Sequence, residues 1–422
     1  MIIYTVQPGD TVYSIAEKYK IPYMRLFYQN IIQPNFDLVV GQNLVITYPD
    51  QVHFVQYGDT LQSIADTYGI SVQQLLQNNP HISDRDFFYI GEEIIISYPN
   101  DENEIEVNGY AFTYINMDTL KKTLPYLTYL SILGFQATMT GDISVPSNMN
   151  IVTITKEYGV APLMFCATFS LQGEGSYEIN HVILNDKDIE ENYIKNILQV
   201  IKENNLSGIN FGCQYILEED LQNYIDFIAK VKNVLHAEGY VVLVTCVPST
   251  FGYVPGGDNS STYFYQIGQI ADRVILISYL WISATKSMVE QTTIKFLEPY
   301  VQYVVTQIPS QKILVGITRV AYDWELPYVE DKLYLNLLSN TTALDLAYRL
   351  GATLSFDEDT QTLYFYYTAK DIEHFVWFKD PKTIKSILDL ITTYDLKGIS
   401  VWSIMDYGPA TWTVINSQNK LK

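Results

Sequence analysis

Apolar and polar positions follow two different rhythms along this chain of 422 residues. In the first hundred residues, short apolar runs flank stretches of helical spacing, and the whole unit occurs twice. Tyr4-Thr5-Val6-Gln7-Pro8-Gly9-Asp10-Thr11 returns as Phe54-Val55-Gln56-Tyr57-Gly58-Asp59-Thr60. Ser14-Ile15-Ala16 and Ser63-Ile64-Ala65 follow, and each unit closes on Gly-x-x-Leu/Ile-x-Ile, at Gly41 to Ile46 and Gly91 to Ile96. Repetition of this kind marks two copies of one small folding unit, here strand, helix, helix, strand, over 1–49 and 50–99. The glycines suit a tight strand-to-helix turn. Asp10 and Asp59 are expected to cap the first helix of each unit through their side-chain oxygens, with Thr11 and Thr60 beside them.

After a polar, acidic connector at 100–105 the rhythm changes. From 106 to 422, apolar strand-like runs alternate with amphipathic helical patterns, which predicts a parallel α/β barrel. Strands are expected at 111–115, 130–134, 161–167, 208–214, 241–247, 273–279, 313–317 and 398–404, the eight that a closed barrel needs. Ile189, Ile194, Ile197, Leu198 and Ile201 form one helical stripe, and Leu221, Ile225, Ile228, Val231 and Leu235 another; both read as core. Alternation within about 328–375 predicts a small α+β insertion between the seventh and eighth strands. The expected fold is thus a (β/α)8 TIM barrel carrying an insertion, preceded by two βααβ modules.

Composition narrows the function. The net charge is −21, and no basic run is present to neutralise phosphates, which excludes nucleic acid and disfavours anionic lipid. A neutral ligand bound by ring faces and hydrogen bonds remains compatible. Cys166, Cys213 and Cys246 are an odd, scattered set in apolar runs and read as buried thiols. The five histidines are unpaired in spacing, so no metal is expected, and no motif calls for a cofactor. Met1-Ile2-Ile3-Tyr4 leads directly into the first repeat, so no signal peptide is expected. No membrane span is expected either. The 35 tyrosines suit packing, sugar stacking or cross-linking.

Residues 207–215 read Ser-Gly-Ile-Asn-Phe-Gly-Cys-Gln-Tyr, an apolar strand ending in small and amide side chains. In form this resembles the fourth-strand signature of glycoside hydrolase family 18, Asp-Gly-x-Asp-x-Asp-x-Glu. Ser207, Asn210, Gly212 and Gln214 take the four acidic positions, and none of them carries a charge or donates a proton near neutral pH. The repeats resemble a tandem lysin motif (LysM). Together with Tyr322-Asp323-Trp324 and Gly398-Ile399-Ser400-Val401-Trp402, they make the chain similar to the branch in which paired lysin motifs precede a family 18 barrel, typified by spore-cortex N-acetylglucosaminidases.

That resemblance implies a substrate-assisted reaction in active members, with a glutamic acid as proton donor and an aspartate two residues earlier orienting the acetamido group. Here those positions are Gln214 and Gly212. It also implies sugar contacts at Tyr279 and Trp402, with Tyr110, Trp281, Tyr322, Asp323 and Trp324 along the cleft and Gln214 able to hydrogen-bond a glycosidic oxygen. In the modules it implies a shallow groove for N-acetylglucosamine from Gly9, Asp10, Thr11, Ile32 and Pro34 in the first and Gly58, Asp59, Thr60, Pro80 and Ile82 in the second.

The expected function is therefore a peptidoglycan- or N-acetylglucosamine-binding protein with a barrel that has lost its reactive carboxylates. By resemblance it is made in the cytoplasm and deposited at the cortex or coat of a spore, where other coat proteins are candidate partners. Two alternatives stay open: an active N-acetylglucosaminidase using a relocated acid among Glu218, Glu219 and Asp323, and a protein-binding or self-assembling coat scaffold.

Overall fold

The computed structural model describes Met1 to Lys422 except residues 33, 34, 36, 84, 86, 100–103, 167–175, 213–215, 249, 252, 254–256, 258–261, 279–292 and 328–334. Each repeat is a two-stranded antiparallel sheet with two helices. The first pairs Ile2–Thr5 with Asn43–Ile46 around the helices Val12–Tyr19 and Tyr23–Gln29. The second pairs Gln51–Phe54 with Glu93–Ser97 around Leu61–Tyr68 and Val72–Asn78. Small separate cores, built on Val12, Ile15 and Leu26 or on Ile64, Leu75 and Ile94, hold them together.

The expected aspartate caps are not what starts the helices. Thr11 and Thr60 are the N-caps, each accepting from the backbone N–H of Ser14 or Ser63, whose hydroxyls reciprocate at the threonine N–H in a capping box. The aspartates sit one residue too early to reach those donors. They fold back instead, and Asp10 accepts from Gln7 N–H as Asp59 accepts from Gln56 N–H, each at 2.7 Å. They close the turn ahead of the helix.

Eight parallel strands close the barrel: Glu104–Phe112, Tyr129–Leu133, Ala161–Cys166, Gly208–Gly212, Val241–Cys246, Arg273–Leu276, Ile313–Thr318 and Gly398–Trp402. The last pairs with the first. The first strand begins seven residues earlier than the expected 111–115 and takes in Glu104 and Ile105, assigned above to the connector. Its polar residues disguised it. Glu106 is buried because Arg273 grips both its oxygens at 2.6 and 2.8 Å and Lys422 adds a third contact. Outward-facing Ile209 and Phe211 on the fourth strand join the large core between strands and helices.

The insertion is a five-stranded antiparallel sheet with a helix, Asn340–Leu350. It starts earlier than expected, because Val320–Leu326 is one of its strands, and it runs on to Ile372–Phe378. The modules do not hang from a leash. Val39 joins the core of the insertion, and a Cβ on Gly41 would lie 2.0 Å from the Leu354 carbonyl oxygen. Arg25 pairs with Glu93 across the two modules at 2.6 Å.

The last helix, Pro409–Gln418, is buried from Ala410 to Ser417. Trp412 stacks on Tyr126 at 4.9 Å within the barrel. On the module side, Thr413 donates to the Gln29 carbonyl and Asn416 to the Asn78 side chain. Among the described residues, no helix is long and apolar enough to cross a membrane.

Candidate functional site: the barrel mouth and the module turns

Strand alternation turns Gly208, Asn210 and Gly212 toward the barrel axis. Gly208 is needed where the backbone passes Val241, since a Cβ there would lie 2.1 Å from that carbonyl oxygen. Ser207 lies one residue before the strand, at the end away from the mouth, and its N–H bonds the Pro162 carbonyl.

Asn210 is fully buried and sits at the centre of a hydrogen-bond chain spanning five strands. Its amide donates to Ser131 at 2.9 Å and to the Tyr110 hydroxyl at 3.3 Å, and its oxygen accepts from Thr245 at 2.9 Å. Ser131 donates on to Asn108, which donates to Ser400. None of these groups carries a charge at neutral pH, so a fully buried network is satisfied without a counter-ion. Asn108, Ser131, Thr245 and Ser400 escaped the reading of the sequence. The available signal was a polar residue at an inward position of an otherwise apolar strand.

Gly212 ends the strand. It offers no side chain, and its carbonyl accepts from Tyr224. Gln214 lies outside the described residues, as do Tyr279 and Trp281. The candidate replacement acids are exposed or already engaged. Glu218 and Glu219 are exposed on the short helical turn Glu218–Asp220 that leads into the helix Leu221–His236. Asp220 is buried between His181 and Asn185 at 2.8 and 2.7 Å. Asp323 is buried against His374 at 3.0 Å and Tyr367 at 2.9 Å.

The aromatic residues divide. Trp402 is half-buried at the end of the eighth strand, over Tyr110 with ring centres 5.2 Å apart. Arg319 holds that strand end, donating its N–H to the Trp402 carbonyl at 2.8 Å while its guanidinium pairs with Asp406. Tyr110 itself is wholly covered, so it supports the mouth from beneath rather than presenting a surface. The expected cleft wall of Tyr322, Asp323 and Trp324 is corrected in the same sense. Tyr322 and Trp324 stack on one face of the insertion sheet, continuing to Phe375, and Asp323 faces the other side. All three are buried, Tyr322 and Trp324 among the side chains of Trp377 and Phe375 and Asp323 against Tyr367 and His374.

In the modules, Gly9, Thr11, Gly58 and Thr60 are exposed on the turns, with Asp10 and Asp59 half-buried beneath. Each aspartate has a second donor. Tyr4 donates its hydroxyl to Asp10 at 2.7 Å, whereas His53 approaches Asp59 at 2.7 Å. The Gln56 N–H, then His53, lower the Asp59 pKa; the bond to Asp10, then burial, push Tyr4 up to about 12. Ile82 is 1% exposed in the second module's core, so packing replaces the expected sugar contact. Ile32 packs partly against the first core. Pro80 lines a cavity between the modules, and Pro34 lies outside the described residues.

A closed (β/α)8 barrel preceded by two paired βααβ modules is the class of protein that this fold defines. The model of glycosyl hydrolases family 18 matches residues 168–406, and the LysM domain model matches 4–47 and 53–97. The chain belongs to glycosyl hydrolases family 18 and carries two LysM domains ahead of the barrel. It is 29% identical to a cortical fragment-lytic enzyme of Bacillus subtilis (strain 168), over 99% of this chain and 98% of that one. The crystal structure of the spore cortex-lytic enzyme SleL of Bacillus megaterium QM B1551 superposes with a TM-score of 0.79 at 30% identity, covering 100% of this chain and 98% of that one. SleL of Bacillus cereus gives the same TM-score and coverage at 26% identity.

Proposed function

We propose that this chain is a spore-associated peptidoglycan- or N-acetylglucosamine-binding protein whose barrel no longer cleaves glycosidic bonds. One observation carries the reading. The inward positions of the fourth strand hold Asn210 and Gly212, with Gln214 two residues further on, where by resemblance a reaction of this type needs an orienting anion and a proton donor. An amide cannot transfer a proton, and general acid catalysis alone contributes about 10²–10⁴-fold. The fixed lysin motifs, with their exposed turns, support the binding half of the reading, and the names of the spore relatives support its location.

Those same names favour a second reading, an active cortex-lytic enzyme with its acid elsewhere. One experiment separates them: incubation with insoluble spore peptidoglycan, measuring both sedimented protein and released reducing ends. Co-sedimentation with reducing ends at the level of a blank is expected. Turnover that disappears in Glu218→Gln, Glu219→Gln or Asp323→Asn would establish the enzyme instead.

A further inference from the structure

Between the two lysin motifs and the last helix of the barrel lies a cavity of about 480 Å³, within the range of about 300–1,000 Å³ usual for small-ligand sites. None of the turn residues 9–11 and 58–60 lines it. Its walls come from three places: the helix Tyr23–Gln29 of the first module, the strands and second helix of the second module, and Tyr126 and Asn416 of the barrel.

Its chemistry is that of flat apolar plates around a closed set of charges. Tyr28 is stacked on His81, ring centres 4.0 Å apart and ring planes nearly parallel. Phe54 and Tyr89 stand at the cavity 58% and 62% exposed. The charges are internally matched. Arg25 holds Glu93, and Glu92 is held by Arg85 and His81. Those contacts outweigh burial and bring the Glu92 carboxyl down to about 2. An ionised ligand would add a charge with no free partner, at a desolvation penalty. A neutral ligand with apolar faces and polar edges meets no such penalty and stacks on the rings.

We infer that this cavity is a composite carbohydrate site for a neutral N-acetylated amino-sugar oligosaccharide, complete only while both modules are docked on the barrel. The inference rests on the glycan-binding reading above and adds a site that neither module possesses alone.

The test uses the full chain and tetra-N-acetylchitotetraose at millimolar concentration, followed by NMR with stoichiometry from calorimetry. Met24 is half-buried in the first turn of its helix and lines the cavity, so Met24→Trp fills the space without opening a core. Tyr28→Ala removes the stacked plate. Both variants are expected to lose one bound oligosaccharide per chain, with at least tenfold weaker binding at that site and resonances of the 9–11 and 58–60 turns still responding. Should Tyr28→Ala fail to fold, Met24→Trp decides alone. Unchanged stoichiometry and affinity in the folded variants would overturn this site but leave glycan binding standing. No response from the unaltered chain would overturn both.

Discussion

The barrel interior and the module turns each organise their hydrogen bonds around one small polar side chain, yet they choose different ones. In the barrel it is the amide of Asn210, fully enclosed, which donates to the first and second strands and accepts from the fifth. In the modules it is the carboxylate of Asp10 or Asp59, half-open to water and held by a backbone N–H and one side chain. Solvent explains the division. A carboxylate near water keeps most of its hydration and gains charge-assisted bonds, whereas one enclosed like Asn210 would need a cation or a proton, and no cationic side chain among the described residues bonds Asn210. The enclosed position is thus filled by a neutral amide, and the half-open ones by carboxylates.

The strongest way to break that contrast is to put charge back. Asn210→Asp is expected to destabilise the chain by about 3 kcal/mol at pH 8, because a buried carboxylate replaces a satisfied amide. Burial raises the folded pKa of the new acid above its unfolded value near 3.9. The penalty should therefore grow as pH rises above that value and fade toward pH 4. Urea unfolding at pH 4 and 8 measures this directly. Equal destabilisation at both values would mean that packing, not charge, governs the position.

A smaller effect is expected on the other side of the comparison. Asp59→Asn should destabilise the second module by about 1 kcal/mol at pH 7, through loss of a charge-assisted turn. The folded pKa of Asp59 is lowered, so its contribution is present above the unfolded value near 3.9 and is lost as pH falls through the folded one. Tyr4 behaves oppositely. Its folded pKa is raised to about 12, so its contribution is present below the ordinary value near 10 and is lost as pH rises through about 12. Hydrogen exchange across pH should show the turn at Asp59 loosening in acid and the turn at Tyr4 loosening in alkali.

The smallest effect comes from exchanging the partners. His53→Tyr gives the second module the first module's side chain at that position, and should move the Asp59 pKa only part of the way back toward its ordinary value. The Gln56 N–H, the larger cause, is unaltered. NMR titration of the Asp59 carboxyl measures it, and a complete return would show that His53 alone sets the turn's charge.

Docking of the modules also changes how multivalent binding works here. Contacts to the insertion and the last helix seat the modules on the barrel. Any gain in avidity then depends on whether a glycan can follow that geometry, not on linker length.

Much of the architecture was legible in local pattern. The repeats, the amphipathic stripes and seven of the eight strands declare themselves because period and punctuation are properties of neighbouring residues. The first strand was placed late, at 111–115 with Glu104 and Ile105 left in the connector, since Glu106 and Asn108 find their partners Arg273, Lys422 and Ser400 only from far along the chain. The aspartate turns were misread by one residue, because Asp and Thr are both good caps and only backbone geometry shows which oxygen reaches the helix.

What the amino-acid order determined by itself is the kind of molecule: two lysin motifs and a family 18 barrel, with Asn210 and Gly212 on its fourth strand and Gln214 just beyond. Those are facts of residue identity and short-range spacing. Tertiary structure alone decided that Asn210 is satisfied in a closed neutral network, that Tyr322, Asp323 and Trp324 are packed away, and that the modules meet the barrel around a cavity. Burial and hydrogen-bond partnership depend on segments hundreds of residues apart, and no local pattern records them.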